Sequence, residues 1–199
     1  MPVHHINNIS AAILAGGKST RMGRNKALLK INGKSLIAHV YEALKSLTKE
    51  ICIIGSSAEE YDFLNIPVFP DMIASIGPLA GIYTALSRSN KSHCFVVACD
   101  MPFISKKLLI KMAENIKPQT ITTIRTTKGL EPLCSIYPGE ALAITKKLVH
   151  KKQFRTSRLF DHLPTIEIPV TEVPFGDHVL FNINTPDDLS DALSQAGDS

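Results

Sequence analysis

No stretch of this chain approaches the run of about 18 apolar residues that a membrane-spanning helix requires, and its opening does not read as a secretory leader. Met1 to Asn8 is polar, and the apolar segment after it ends at Gly16. A soluble, cytoplasmic protein without a membrane partner is expected. Cysteine is sparse: Cys52, Cys94, Cys99 and Cys134 show no C-x-x-C spacing, and three of them lie in apolar, strand-like runs. Buried, reduced thiols are therefore expected rather than a disulfide framework. The seven histidines form no H-E-x-x-H and no cluster with cysteine, which argues against a zinc site. The chain also lacks a G-x-G-x-x-G fingerprint, a Ser/His/Asp or Cys/His signature of nucleophilic catalysis, internal repeats and low-complexity segments.

Charge of one sign is scarce as well. The formal net charge of +4 is modest; it suits an anionic small molecule and gives little support to a nucleic-acid partner. The local excess is Lys146, Lys147, His150, Lys151, Lys152, Arg155 and Arg158, of which Lys147, Lys151, Arg155 and Arg158 recur at helical spacing. This reads as a solvated helix face, or as an electrostatic guide for a phosphorylated acceptor or an acidic partner.

With 199 residues and 44% hydrophobic content, the chain is long enough for one domain spanning 1–199, with 1–8 as a flexible start. Strand-like runs at 9–15, 50–55, 66–69, 93–99, 120–126, 131–137 and 178–183 alternate with helical patterns near 35–46, 58–64, 78–88, 105–116, 139–149, 155–163 and 186–195. That alternation predicts an α/β fold with a mainly parallel central sheet and helices on both faces. In such sheets ligands bind beyond the carboxyl ends of the strands. Four polar sites follow a strand directly: Gly16-Gly17, Gly55-Ser56-Ser57, Asp71 and Asp100.

The segment Ile9 to Gly23 is the most informative. An apolar strand breaks into Gly16 and Gly17, whose backbone freedom lets successive N–H groups turn around phosphate oxygens, and Arg21 and Lys26 supply positive charge. Gly17-Lys18-Ser19 superficially matches the tail of a G-x-x-x-x-G-K-[ST] loop. The first glycine of that motif is here Ala12, and Gly23 would interrupt the helix that should follow. Asp100 ends a fully apolar strand before Pro102 and is the best candidate ligand for Mg²⁺, with Mn²⁺ as an alternative, because Mg²⁺ commonly uses one or two carboxylates plus phosphate oxygens and water. Asp71, after Pro70, reads equally as a turn residue and as a nucleotide contact.

In Ser75 to Ile82, Pro78 suits a first helical turn, while Gly81 inside the helix costs roughly 1 kcal/mol against alanine and points to close approach by substrate or backbone. Thr185, Pro186 and Asp188 form a helix start. Asn182 and Asn184 alternate with Phe181 and Ile183, so both amides are expected on one side of a strand. Together these features fit nucleotidyl transfer, which needs positioning and charge neutralisation more than a nucleophilic side chain.

Leu14-Ala15-Gly16-Gly17-x-Ser19-x-Arg21-Met22-Gly23-x-x-Lys26-Ala27-Leu28-Leu29, Gly77-Pro78-Leu79-Ala80-Gly81, Cys99-Asp100-Met101-Pro102 and Asn182-Ile183-Asn184-Thr185-Pro186 resemble, in order and spacing, the motifs of molybdenum cofactor guanylyltransferase. The resemblance implies a Rossmann-like nucleotidyltransferase that joins GMP from GTP to the terminal phosphate of molybdopterin. Carried over by position, Leu14, Ala15, Gly16, Gly17, Lys26, Asp71 and Asp100 would bind GTP, Asp100 would hold the metal, and Arg21, Lys26 and Asp100 would serve catalysis. Gly77, Gly81, Asn182 and Asn184 would line the molybdopterin side. Transient contact with cofactor-carrier or molybdoenzyme-maturation proteins is also implied. Two positions depart from the family pattern: Asn25 replaces a usual acidic residue, and Gly55-Ser56-Ser57 stands where an asparagine often contacts the nucleotide. The alternatives are a cytidylyltransferase of the same pterin, a sugar-phosphate nucleotidyltransferase, and a nucleotide-binding adaptor without turnover.

Overall fold

A computed structural model describes residues 8–16, 25–73, 76–173 and 176–196. Gly17 and Arg21, both assigned to the nucleotide from sequence, lie outside the described residues. The chain runs through β1 (Ile9–Leu14), the small strands β2 (Lys30–Ile31) and β3 (Lys34–Ser35), then α1 (Leu36–Leu44), β4 (Ile51–Ile54) and β5 (Val68–Phe69). It continues through α2 (Pro78–Arg88), β6 (His93–Ala98), α3 (Lys106–Glu114), β7 (Ile121–Thr126), β8 (Gly129–Pro138), α4 (Ala141–His150), β9 (Thr165–Pro169) and α5 (Pro186–Ala196). Seven strands form one sheet in the order β5-β4-β1-β6-β8-β7-β9, parallel except for β8, which runs against both β6 and β7. The expected α/β architecture with a mainly parallel sheet is therefore the observed one.

Both faces of the sheet are covered, which is why β1 and β6 are apolar without alternation. Ile9, Ala11, Ile13, Ile53, Phe95 and Val97 belong to a core shared with α1 and α3. Ala12, Leu14, Ile54, Cys94 and Val96 face the other way, against Leu79, Ile82 and Ala85 of α2 and Leu148 of α4. A smaller cluster joins Ile31, Leu36, Ile183 and Ala192, so α5 packs on the β2–β3 hairpin near the carboxyl end of the sheet.

Several sequence expectations are corrected. The strand expected at 178–183 is a 3-10 turn over Gly176–Leu180, followed by extended chain outside the sheet. The Ile183 N–H donates to the carbonyl of Asp100 at 3.1 Å, a single tie to the loop after β6 rather than a strand ladder. The helices expected at 58–64 and 155–163 are 3-10 segments, Ala58–Leu64 and Thr156–Asp161. The supposed continuous basic helix face ends with α4 at His150, and Lys152 adopts a left-handed backbone, φ 56°. Its lysines and arginines are nonetheless exposed. Two elements went unread: β9, and the hairpin whose Asn32-Gly33 turn has positive φ at both residues, 50° and 76°.

The four cysteines are free, and burial pushes Cys52 up to about 11 and Cys94 and Cys99 up to about 12, where a thiol is inert at neutral pH. Among the described residues no helix is long and apolar enough to cross a membrane.

Candidate active site

The strand order changes direction at β1: β4 and β5 extend the sheet on one side, β6 on the other. The carboxyl ends of β1 and β6 thus flank the switch point at which open α/β sheets bind ligands. Leu14 and Ala98 are register partners there, and the Cys99 N–H donates to the Leu14 carbonyl at 3.0 Å. Beyond that tie the two chains part, one into Ala15-Gly16 and the other into Asp100.

Three residues far apart in sequence meet at this edge. Lys26 Nζ donates to Asp100 Oδ2 at 2.5 Å and to Asn184 Oδ1 at 2.7 Å. Each is delivered by local chemistry. Lys26 opens a 3-10 turn, Lys26–Leu28, capped by Asn25, whose Oδ1 accepts from the Ala27 N–H at 3.1 Å. Asn25 Nδ2 in turn donates to Glu60 Oε2 at 2.7 Å and to the Tyr61 phenol oxygen at 3.0 Å. An acidic residue at position 25 could cap the turn but could not donate to Glu60, so this departure from the family pattern is matched to its own neighbours. Asn184 precedes α5, where Asp188 Oδ2 accepts from the N–H groups of Asn184 and Thr185 at 2.7 and 2.8 Å, and the Asp188 N–H donates to Thr185 Oγ1 at 3.1 Å. This capping arrangement fixes the Asn184 backbone, and its bonds, that from Asn184 foremost, hold the Asp188 carboxyl below its ordinary value.

The Lys26 and Asp100 side chains are 16% and 18% exposed, while Asn184 stands open to solvent. Asp100 Oδ1 is buried and has no hydrogen-bond partner among the described residues. A second carboxylate, Glu131, stands near enough for the charge of Asp100 to act on it. Burial first, and that charge as well, hold the Glu131 carboxyl above its ordinary range, although its Oε1 accepts from the Leu133 N–H at 3.0 Å. Sequence reading missed Glu131; the signal was Pro132 inside a strand-like run, which marks a bulge or an edge. The β7–β8 register does shift between Thr123 and Arg125. Buried hydroxyls pin the irregular stretch: Thr123 and Ser135 donate to the Glu131 carbonyl at 3.0 and 2.6 Å, and Tyr137 to the Pro132 carbonyl at 2.7 Å. Bulges of this kind re-aim side chains beside active sites.

Among the described residues no three His, Cys, Asp or Glu side chains group as a metal site, but one carboxylate with an oxygen unpartnered among those residues, and an amide oxygen beside it, are ligands of the kind a hard cation takes together with phosphate oxygens and water. Asp100 and Asn184 are the residues that would hold it.

On the β4–β5 side of β1, the bare face of Gly16 lies against Asp71, where a Cβ would stand 3.1 Å from Asp71 Oδ2. Gly16 and Asp71 therefore stand side by side beyond the carboxyl ends of β1 and β5. Gly77 precedes α2 with φ 74° and open space around it, the conformation for which glycine is suited. Gly81 instead faces a side chain, since a Cβ there would stand 3.0 Å from Leu14 Cδ1. Of the two asparagines, Asn184 turns to Lys26, while Asn182 is half-buried two residues earlier. Cavities of about 400 and 330 Å³ open at the other end of the sheet, lined in part by Ser92, His93 and Gln119 and by Ser10, Glu50 and Pro67, and neither includes the Lys26 cluster.

The profile of the MobA-like NTP transferase domain matches residues 11–165. A "Probable molybdenum cofactor guanylyltransferase" of Clostridium perfringens is 38% identical, with 94% of this chain and 96% of that protein aligned. The chain belongs to the molybdenum cofactor guanylyltransferase family. A second member so named, from Carboxydothermus hydrogenoformans, is 32% identical with the same coverage, 94% and 96%. The fold is shared with a crystal structure from Archaeoglobus fulgidus described as molybdopterin-guanine dinucleotide biosynthesis protein A, at TM-score 0.80 and 24% identity over 96% of this chain and 100% of that one.

Proposed function

We propose that this protein transfers GMP from GTP to the terminal phosphate of molybdopterin, releasing pyrophosphate and forming the guanine dinucleotide form of the cofactor. The observation that supports it most directly is the convergence of Lys26, Asp100 and Asn184 at the switch point of a guanylyltransferase-family chain. In the reaction an oxygen of the acceptor phosphate attacks the α-phosphorus of GTP; the new P–O bond forms as the bond between the α-phosphorus and its bridging oxygen breaks, and pyrophosphate takes the electron pair. A phosphate monoester is largely ionised near neutral pH, its second pKa being about 6, so no strong general base is required.

The residues then divide by side. Leu14, Ala15, Gly16, Gly17 and Asp71 bind the nucleotide, and Gly77, Gly81, Asn182 and Asn184 serve the acceptor side. Arg21 and Lys26 neutralise phosphate charge, and the partial burial of Lys26 makes its charge act more strongly than in water. Asp100, with Asn184 beside it, would hold Mg²⁺ or Mn²⁺, which supplies charge neutralisation on phosphoryl oxygens when bound. The enzyme acts in the cytoplasm on these small molecules, and the exposed lysines of α4 would meet an acidic carrier or maturation protein.

The test is pyrophosphate release from each of the four nucleoside triphosphates, with Mg²⁺ and with molybdopterin present or absent. Release with GTP that depends on the pterin is expected. Release with CTP instead would move the protein to cytidylyl transfer, and none with any nucleotide would reject the reading.

A further inference from the structure

Lys26 Nζ lies between Asp100 Oδ2 and Asn184 Oδ1, at 2.5 and 2.7 Å. Those oxygens, with Asp100 Oδ1 beside them and without a hydrogen-bond partner among the described residues, are the ones a hard cation would need. A divalent ion and an ammonium within bonding distance of the same two oxygens repel each other, more strongly as the surrounding dielectric falls, and the Lys26 and Asp100 side chains are only 16% and 18% exposed. We propose that the Lys26 ammonium and the divalent cation are alternative occupants of one place, so that the cation is admitted only once a polyphosphate has drawn the ammonium away. The proposal rests on the nucleotidyl-transfer reading for the identity of that polyphosphate.

The construction of the site supports an exchange confined to one side chain. The backbone of Lys26 is set by the Asn25 cap and, through Asn25, by Glu60 and Tyr61. Its four-carbon stem carries a compact point charge that can be redirected without moving the turn. A triphosphate offers several negative charges where Asp100 offers one, so it is the stronger partner for the ammonium. When Lys26 leaves, Asp100 loses the cation that pairs with it among the described residues, and the same event that seats the phosphates makes the vacated place attractive to a dication. Nucleotide and cation would thus bind with positive coupling, and by linkage the cation would raise nucleotide affinity by the same factor.

The test measures Mn²⁺ binding to the nucleotide-free protein through loss of the free-ion electron paramagnetic resonance signal. Lys26→Met is expected to bind Mn²⁺ about tenfold or more tightly than the wild type. Lys30→Met, which removes an equal charge from an exposed position on β2, should change the affinity by less than about threefold in 0.15 M salt. A second arm uses the wild type alone: the side-chain ammonium resonance of Lys26, assigned with Lys26→Arg, should stay in place with Mg²⁺ and shift with metal-free inorganic triphosphate. Equal Mn²⁺ affinity in the wild type and a folded Lys26→Met protein, or a Lys26 resonance displaced by Mg²⁺ alone, overturns the proposal. If both arms succeed while no nucleoside triphosphate releases pyrophosphate, the exchange stands and the functional reading falls.

Discussion

Gly81 on α2 lies directly under Leu14 at the end of β1: a Cβ on Gly81 would stand 3.0 Å from Leu14 Cδ1 and 3.1 Å from Cδ2. Leu14 is 8% exposed and packs with Leu79, Ile82 and Ile54, so its room to yield is limited. Gly81→Ala gains about 1 kcal/mol of helix propensity but overpacks this contact at a cost of about 1–3 kcal/mol, and a net loss is expected. Leu14→Ala alone should cost about 2–5 kcal/mol. The double variant should be more stable than the sum of the two losses implies, because the new methyl enters space Leu14 has vacated. Urea unfolding of the four proteins measures the coupling, and strict additivity would show that Gly81 is not there for Leu14.

That contact also shows what the sequence could convey. Gly81 stood out as a costly helix residue and pointed to close approach by substrate or backbone, whereas the approaching group is the Leu14 side chain, which depends on how α2 lies across β1. The parallel sheet, the two faces of its core and the delivery of Asp100 to the carboxyl edge were all legible, because a continuous apolar run such as Phe95 to Cys99 has few other solutions. Phe181 to Asn184 misled: its alternation mimics a strand, yet the segment bonds to the Asp100 carbonyl instead of a ladder. Glu131 was invisible because its role depends on a register shift between β7 and β8, and no local pattern encodes a register.

Asn184 ties the segment before α5 to the carboxyl edge of the sheet through the Lys26 ammonium. Removing an acceptor from a charged donor typically costs about 1.5–3 kcal/mol. Asn184→Ala should therefore lower kcat/KM for GTP by roughly 10- to 150-fold, with Asn184→Ser recovering part of the loss. Steady-state kinetics of the two variants decide it, and activity at wild-type level in Asn184→Ala would remove this residue from the site.

Asp100→Asn keeps the shape of the side chain and removes the charge that pairs with Lys26 and would hold the metal. Turnover should fall by about three orders of magnitude, while nucleotide binding measured without metal persists, because Lys26 remains free to meet the phosphates. Single-turnover assays alongside fluorescent-nucleotide titration separate these effects. Loss of nucleotide binding together with turnover would mean that Asp100 organises the pocket and is not specific to the chemistry.

The last prediction concerns stability against pH. Burial, reinforced by the charge of Asp100, raises the carboxyl of Glu131 above its unfolded value of 4.5. The folded protein therefore holds this proton more tightly than the unfolded chain does. The stability this contributes is fully present below pH 4.5 and is lost as pH rises through the folded-state value, so at neutral pH the fold is less stable than it would be with an uncharged side chain at this position. Glu131→Gln keeps an oxygen for the Leu133 N–H and removes that charge. Its melting temperature should exceed the wild-type value at pH 7, and the difference should shrink towards zero as pH is lowered to about 4. Thermal unfolding across that range tests it: a variant less stable than wild type at pH 7 would mean that Glu131 is compensated by a cation and contributes structural stability.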